Sequence, residues 1–181
     1  MKIEKLLQNL EMKKYFFLLA LIILSVLIII KTQKILIFLA LTLISGIICF
    51  FNYSMRLPFD ITPVFFLSII ITNTYGFGYT FLFVILSGFI PSILSGGEAS
   101  MSSIMYLVVN LLVNLLSIPF LGSNIILSGI ILSVVYSVLA GIGSAVTGEN
   151  IQKEIFSVIL TIILNVLYFS KLGVFLLTIL R

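Results

Sequence analysis

Few side chains in this 181-residue chain can do chemistry, and their types narrow which chemistry is open. There are six carboxylates, one cysteine and no histidine. Without histidine, the commonest metal ligand and the usual proton relay near neutral pH are both missing. The single cysteine, Cys49, lies within an apolar run. It excludes a disulfide within the chain and reads as a small hydrophobe in a helix. No GxxxxGK[ST] phosphate loop occurs. No nucleophile–base pair or metal-ligand set stands out. The residue types therefore point away from an enzyme and away from a bound cofactor or metal.

The polar residues that remain are concentrated. Between "ISGIICFFNYS" and "VFFLSIIIT" stands "RLPFDITP", residues 56–63, which puts Arg56, Asp60 and two prolines within eight positions. Pro58 and Pro63 lack amide protons and stop a helix from running through. Asp60 is placed to cap the helix that follows, because its carboxylate can accept from free amides at a helix start. Its loop is also placed to close one end of a polar cavity. In "SSIMYLVVNLLVNLLS", Ser103, Tyr106, Asn110, Asn114 and Ser117 recur at spacings of three and four, one stripe on one helix face. Two asparagines in lipid are costly unless they face protein or a cavity. The stripe is thus either interhelical hydrogen bonding or the wall of a solute site. Asn165 with Tyr168, and Tyr136, form two further polar patches with the same two readings. The candidate solute-binding set is Arg56, Asp60, Tyr106, Asn110, Asn114 and Asn165.

The elements that must position these residues are set by composition. The chain is 61% hydrophobic and 9% charged, with mean hydropathy +1.35. Soluble domains carry about 25% charged residues, so the solvent for most of this chain is lipid. Apolar runs cover roughly 15–30, 35–53, 61–74, 77–95, 101–121, 124–146 and 153–170, with a possible tail to 181. Lipid leaves no backbone group unpaired, so helices are the default. The expected fold is all-α: a polytopic transmembrane bundle of six or seven helices with an N-terminal amphipathic helix. Residues 1–14 form the interfacial amphipathic segment and 15–181 a single transmembrane helical domain. In the first segment Ile3, Leu6, Leu7 and Leu10 share one helix face. The run 15–30 follows lysines but offers no small-residue cleavage site, and reads as a retained span. The run 61–74 is the shortest and reads as a tilted, half-buried or re-entrant helix. Connectors such as "YGFGY", "LGSN" and "TGENIQKE" are short enough to force antiparallel hairpins. Tyr15, Tyr53, Tyr75, Tyr79, Tyr106 and Tyr168 lie near span ends and are expected to form the interfacial aromatic belt.

Small residues make a further pattern. Gly129, Ser133, Ser137, Gly141 and Ala145 recur every fourth residue, which lets another helix approach closely. Packing within the bundle is the expected use. Net charge is +4, and four of the ten basic residues are Lys2, Lys5, Lys13 and Lys14. They read as membrane-surface or cytoplasmic lysines, not as a nucleic-acid patch.

Residues 58–97, "PFDITPVFFLSIIITNTYGFGYTFLFVILSGFIPSILSGG", carry an aspartate and proline, a short apolar helix, a glycine turn, and a small-residue-rich helix ending in glycines. This arrangement resembles the substrate-binding S-components of energy-coupling factor transporters, and also the rod-shape protein MreD. The S-component resemblance implies a multi-pass cell-membrane subunit that binds a small-molecule solute without catalysis. Its partners would be the lipid bilayer, other membrane subunits and an ATPase module. The MreD resemblance implies instead a membrane scaffold that organises other membrane proteins. By the S-component resemblance, the loops near Arg56, Glu98 and Glu149 gate the solute, and they would lie outside the cell. Alternation of seven spans puts these three on one side, but with a cytoplasmic N-terminus that side is the inside.

The positive-inside rule places Lys2 to Lys14 in the cytoplasm. In a Cys49→Ala background, Gln8→Cys is expected to stay unlabelled when intact cells are treated with an impermeant thiol reagent. Labelling there would reverse the orientation. Ser100→Cys reports independently on the side of the "SGGEAS" loop.

Overall fold

A computed structural model describes residues 33–55, 57, 60–96, 101–120, 124–148 and 151–180, with the side chains of Ser102, Ile151 and Lys153 outside that description. The segment 1–14, the run 15–30 and Arg56, Glu98 and Glu149 lie outside the described residues. By their contacts the residues fall into two compact units, Met1–Leu39 and Ala40–Arg181. In the first, the described residues are the opening turns of one helix. The packing below belongs to the second.

The described residues are helical and contain no strand. Helix α1 is Gln33–Ser54 and α2 is Val64–Tyr75. Helix α3 is Phe77–Leu94, α4 is Met101–Ser117 with a 3-10 turn at Ile118–Phe120, and α5 is Ile125–Val146. Helix α6 runs Ile151–Tyr168, then a π turn at Phe169–Gly173, then Val174–Leu180. The possible tail after residue 170 is therefore a continuation of the last helix. Five of the six, all but α2, are long and apolar enough to cross a membrane. That is the pattern of a multi-pass membrane protein.

Helix α2 is short because Pro63 fixes its start and Gly76 its end. Its 12 residues span about 18 Å, against the ~30 Å of a hydrocarbon core. Val64 to Thr72 are buried without exception. A helix apolar all round belongs in the middle of a bundle, and α2 is indeed packed against α3, α4, α5 and α6. The Thr74 hydroxyl and the Asn73 side-chain amide donate to the carbonyls of Ile70 and Ile69, four residues back, and the Thr72 hydroxyl is shared between the Ser68 carbonyl and Asn114 Oδ1. Gly76 then turns the chain with φ +89°, a left-handed conformation that glycine adopts without strain. Helix α3 returns antiparallel to α2: Val64 lies against Gly88, and Thr72 meets Thr80.

Two helices carry π turns, and they arise differently. In α3, Pro91 has no amide to offer the Ser87 carbonyl four residues back. The helix widens at Ile85–Phe89, where the Ile90 amide reaches Ile85 O, five residues back. In α6 the turn at Phe169–Gly173 has no proline; it seats Phe169, fully buried, against Gly129 and edge-on to Phe66 at 4.9 Å between centroids.

Helices α5 and α6 pack antiparallel along the small-residue row. A Cβ at Gly129 would overlap the Phe169 ring, and one at Gly141 would stand 2.8 Å from Val158 Cγ2. Ser133 and Ser137 are buried between these glycines. Ala145, by contrast, is exposed, so the close row stops at Gly141. Outward-facing side chains are large and apolar, among them Leu112, Leu127, Phe156 and Ile163. In water such a surface would aggregate; in lipid it is the expected exterior.

The tyrosines divide. Tyr75 and Tyr79 pair at 5.7 Å beside the α2–α3 turn. Tyr106 and Tyr168 do not follow the belt expectation. Both spend their hydroxyls on contacts inside the bundle: Tyr106 with Glu154 and Ser144, Tyr168 with Ile61 O. Tyr15 lies outside the described residues.

The glycine packing gives a paired test. Gly129→Ala is expected to lower the melting temperature in detergent, with an overpacking cost of about 1–3 kcal/mol. Gly78→Ala has open space around it and should be neutral or stabilising by up to about 1 kcal/mol, the gain in helix propensity. Gly141→Leu should behave like Gly129→Ala. Parent-like melting of both packed variants would turn that face of α5 toward lipid.

Candidate functional site

The described part of "RLPFDITP" forms a loop whose backbone polar groups are largely paired. Asn52, two residues before the end of α1, accepts from the Ile61 amide with its side chain (3.4 Å) and from the Leu57 amide with its carbonyl (3.3 Å). Tyr168 donates to the Ile61 carbonyl at 2.9 Å. Asp60 Oδ1 accepts from the Thr62 amide at 2.8 Å. This last bond corrects the capping expectation. The residue at the cap position of α2 is Pro63, and no side chain caps that helix. Asp60 closes a turn within the loop, one step short of the helix, because Pro63 holds the helix start three residues beyond it.

Asp60 and Thr62 form part of the wall of a cavity of about 60 Å³. Helix α1 contributes Cys49 and Tyr53, and α2 contributes Val64 and Phe65. Around its π turn α3 contributes Val84, Gly88, Phe89 and Ser92; α4 contributes Ser103, Tyr106, Leu107 and Asn110; α5 contributes Tyr136. The widened turn of α3 helps define the wall. Gly88 lets Val64 come close, and its carbonyl accepts from Cys49 Sγ at 3.3 Å. Cys49 is therefore a buried donor to α3 as well as a small hydrophobe. Phe65 and Tyr136 stack at 4.2 Å with 8° between their planes. The Tyr136 hydroxyl pairs with the Asn110 side chain.

Behind Asn110 the polar stripe continues as a buried cluster. Asn114 Nδ2 donates to Ser68 Oγ at 2.9 Å and to Asn110 Oδ1 at 2.8 Å. Thr72 Oγ1 lies 2.8 Å from Asn114 Oδ1 and 2.7 Å from Thr80 Oγ1. All five residues are buried. The stripe follows from the solvent: with lipid outside, α4 turns Asn110, Asn114 and Ser117 inward and leaves Val108, Leu112 and Leu116 exposed.

Of the six candidate solute residues, Asp60, Tyr106 and Asn110 meet in the cavity wall. Asn114 does not line it; four residues further along α4, it belongs to the hydrogen-bonded cluster. Asn165 is buried on α6 but is not in the wall. Arg56 lies outside the described residues. Ser92 and Phe65 carried no signal of their own in the sequence, and Tyr53 was expected in the aromatic belt, not in a cavity wall. They could be found only by knowing that α3 widens and that α2 starts inside the bundle.

The cavity's electrostatics centre on Asp60. Desolvation pushes its carboxyl above the usual carboxylate range, and the hydrogen bonds with Thr62 lower it by less. The Tyr106 hydroxyl donates a hydrogen bond to a second carboxylate, Glu154, and accepts one from Ser144 Oγ at 3.1 Å. The wall can accept hydrogen bonds, offer aromatic faces and hold one negative charge. Among the described residues, no group of three His, Cys, Asp or Glu side chains could hold a metal ion. Set against protein-family models, curated proteins and solved structures, the chain matches none of them.

Proposed function

We propose that this chain is a non-catalytic, membrane-embedded subunit that holds a small solute, as the S-components it resembles do. The observation that carries the reading is that loop residue Asp60 and stripe residues Tyr106 and Asn110 meet in one cavity inside a lipid-facing bundle. A polar cavity in such a bundle is costly to keep, and ionisable groups retained at such places mark solute or ion sites. Ligand pockets favour mixed walls of this kind, aromatic surface with a few convergent polar groups. Energy for transport would come from an ATPase module docked to this subunit, because the chain has no phosphate-binding loop of its own. The cell membrane is the proposed location.

Purification from the native membrane with mass spectrometry of small molecules and proteins tests this. The expected result is a co-purifying solute together with an ATPase or membrane partner. Tyr136→Phe keeps the stack on Phe65 and removes one wall hydroxyl, so it should reduce solute recovery several-fold, with a modest fall in melting temperature because Asn110 loses that partner. Asn110→Ala should abolish recovery, at some cost in stability because Asn110 also belongs to the buried cluster. Parent-like solute content in both variants would rule the cavity out. Membrane-protein partners with no solute would favour the MreD-like scaffold.

A further inference from the structure

The charge and lining of the cavity narrow the class of solute. We propose that it takes a small organic cation of the primary-ammonium type, with Asp60 as the counter-charge and the Phe65–Tyr136 stack beside it. This rests on the solute-binding reading above.

The sign of charge comes first. Asp60 is in the wall, and Glu154 stands one hydrogen bond behind it through Tyr106. The lysines with described side chains, Lys34 and Lys171, are exposed and do not line the cavity. Among the described residues the wall therefore carries negative charge without a balancing cation. The N-terminus of α2 adds roughly half a positive charge, which offsets only part of one carboxylate. A desolvated carboxylate is costly unless paired. An anionic solute would add repulsion and a neutral one would leave the carboxyl to be neutralised by a proton; a cation pairs with the ionised form directly.

Chemistry and size come next. Stacked aromatic rings present negative faces, and a cation against such a face gains about 0.5–2 kcal/mol. That favours an organic cation, which can lie against a ring, over a metal ion that needs several oxygen ligands. So does the ligand set, a single carboxylate among neutral oxygens. Tyr106 already donates to Glu154 and accepts from Ser144, so the acceptors that suit an ammonium group, with three donors and no acceptor, are Asp60 and the remaining wall oxygens. The volume, about 60 Å³, is above the ~10–15 Å³ that one water needs. It is well below the ~300–1,000 Å³ of pockets for drug-sized ligands. It fits a solute of a few heavy atoms.

The proposal carries a pH dependence. The groups that face Asp60 are Cys49 and Tyr53 from α1, Tyr106 from α4, Tyr136 from α5 and Tyr168 from α6. These thiol and phenol groups ordinarily titrate above neutrality. Among the described residues the other carboxylate is Glu154, which reaches the wall through Tyr106. A cation binds the ionised form of Asp60, so proton and cation compete. As pH falls through the raised Asp60 pKa, affinity should weaken, by about tenfold per unit once the carboxyl is mostly protonated.

The full chain in detergent is titrated with methylammonium chloride, with formamide as a neutral solute of similar size and with sodium chloride at equal ionic strength. Melting temperature and calorimetry are read. Methylammonium should raise the melting temperature saturably; formamide and sodium should not. Asp60→Asn keeps the Oδ1 acceptor for the Thr62 amide, so it should fold, melt no lower than the parent, and lose the methylammonium shift. Glu154→Gln, which removes the charge behind Tyr106, should reduce the shift by less than Asp60→Asn does and keep its pH dependence. A sodium shift equal to that of methylammonium overturns the organic-cation assignment. So does a marked drop in the melting temperature of Asp60→Asn, which would mean that a side chain of the protein already pairs with Asp60. If formamide binds and Asp60→Asn is silent, the cation class falls while solute binding stands. Solute binding falls separately, by the Tyr136→Phe and Asn110→Ala result.

Discussion

Asn114 is the group on which the centre of this bundle depends. Its amide and carbonyl reach Ser68 and Thr72 on α2 and Asn110 on its own helix, and Thr72 passes the chain of contacts to Thr80 on α3. In lipid, apolar packing between helices has no hydrophobic driving force to supply, because the tails are as apolar as the side chains. Association then relies on close packing and on polar pairs. Helix α2 has no glycine in its 12 residues and no exposed face between Val64 and Thr72. The cluster fixes its depth and rotation. A slip of one residue would take Ser68 and Thr72 away from Asn114 and leave several buried polar atoms unpaired at once, each worth about 1–3 kcal/mol.

Close packing does the complementary work on the other side. Gly129 and Gly141 let α6 approach α5 until only glycine fits at the contact with Phe169. The π turn of α6 presents Phe169 to that gap and to Phe66 of α2 at the same time. The two modes meet at α2: a hydrogen-bonded side against α3 and α4, and an aromatic side against α5 and α6 through Phe65–Tyr136 and Phe66–Phe169. Helix α2 is thereby the element that the long helices share.

Much of this was legible in the sequence, for physical reasons that also explain what was not. Helix bounds followed closely from apolar runs broken by proline, glycine and charge, because lipid tolerates no other backbone solution. The inward stripe of α4 was legible because asparagine spacing alone marks a face. The use of each member was not. Asn110 and Asn114 are four residues apart on the same face, yet only Asn110 borders the cavity, since α2 covers the level of Asn114. Asp60 looked like a helix cap because residue type and position favour one; Pro63 displaced the helix start beyond its reach. The widening of α3 was implicit in Gly88 and Pro91, but whether a proline kinks a helix or opens a π turn depends on which neighbours take the freed carbonyls. Cys49 also donates to the Gly88 carbonyl in this turn, a pairing between residues 39 positions apart that periodicity cannot reveal.

The cavity is then a consequence of length. A helix of about 18 Å in a layer of about 30 Å leaves about 12 Å of its column without helix. Something must occupy that space with its backbone groups paired. The loop does so with borrowed partners, Asn52 for Ile61 and Leu57, Asp60 for Thr62, and Tyr168 for the Ile61 carbonyl. An extended loop fills space less completely than a helix, so a void remains where α1, α3, α4 and α5 surround it. The side chains bordering that void are polar because the loop and the ends of the stripe are polar. A second full-length helix would have removed the void and with it the reason for an aspartate at this depth. Proline at position 63 sets the length of α2, the length of α2 sets the void, and the void gives Asp60 a place among aromatic rings and hydroxyls instead of at a helix cap.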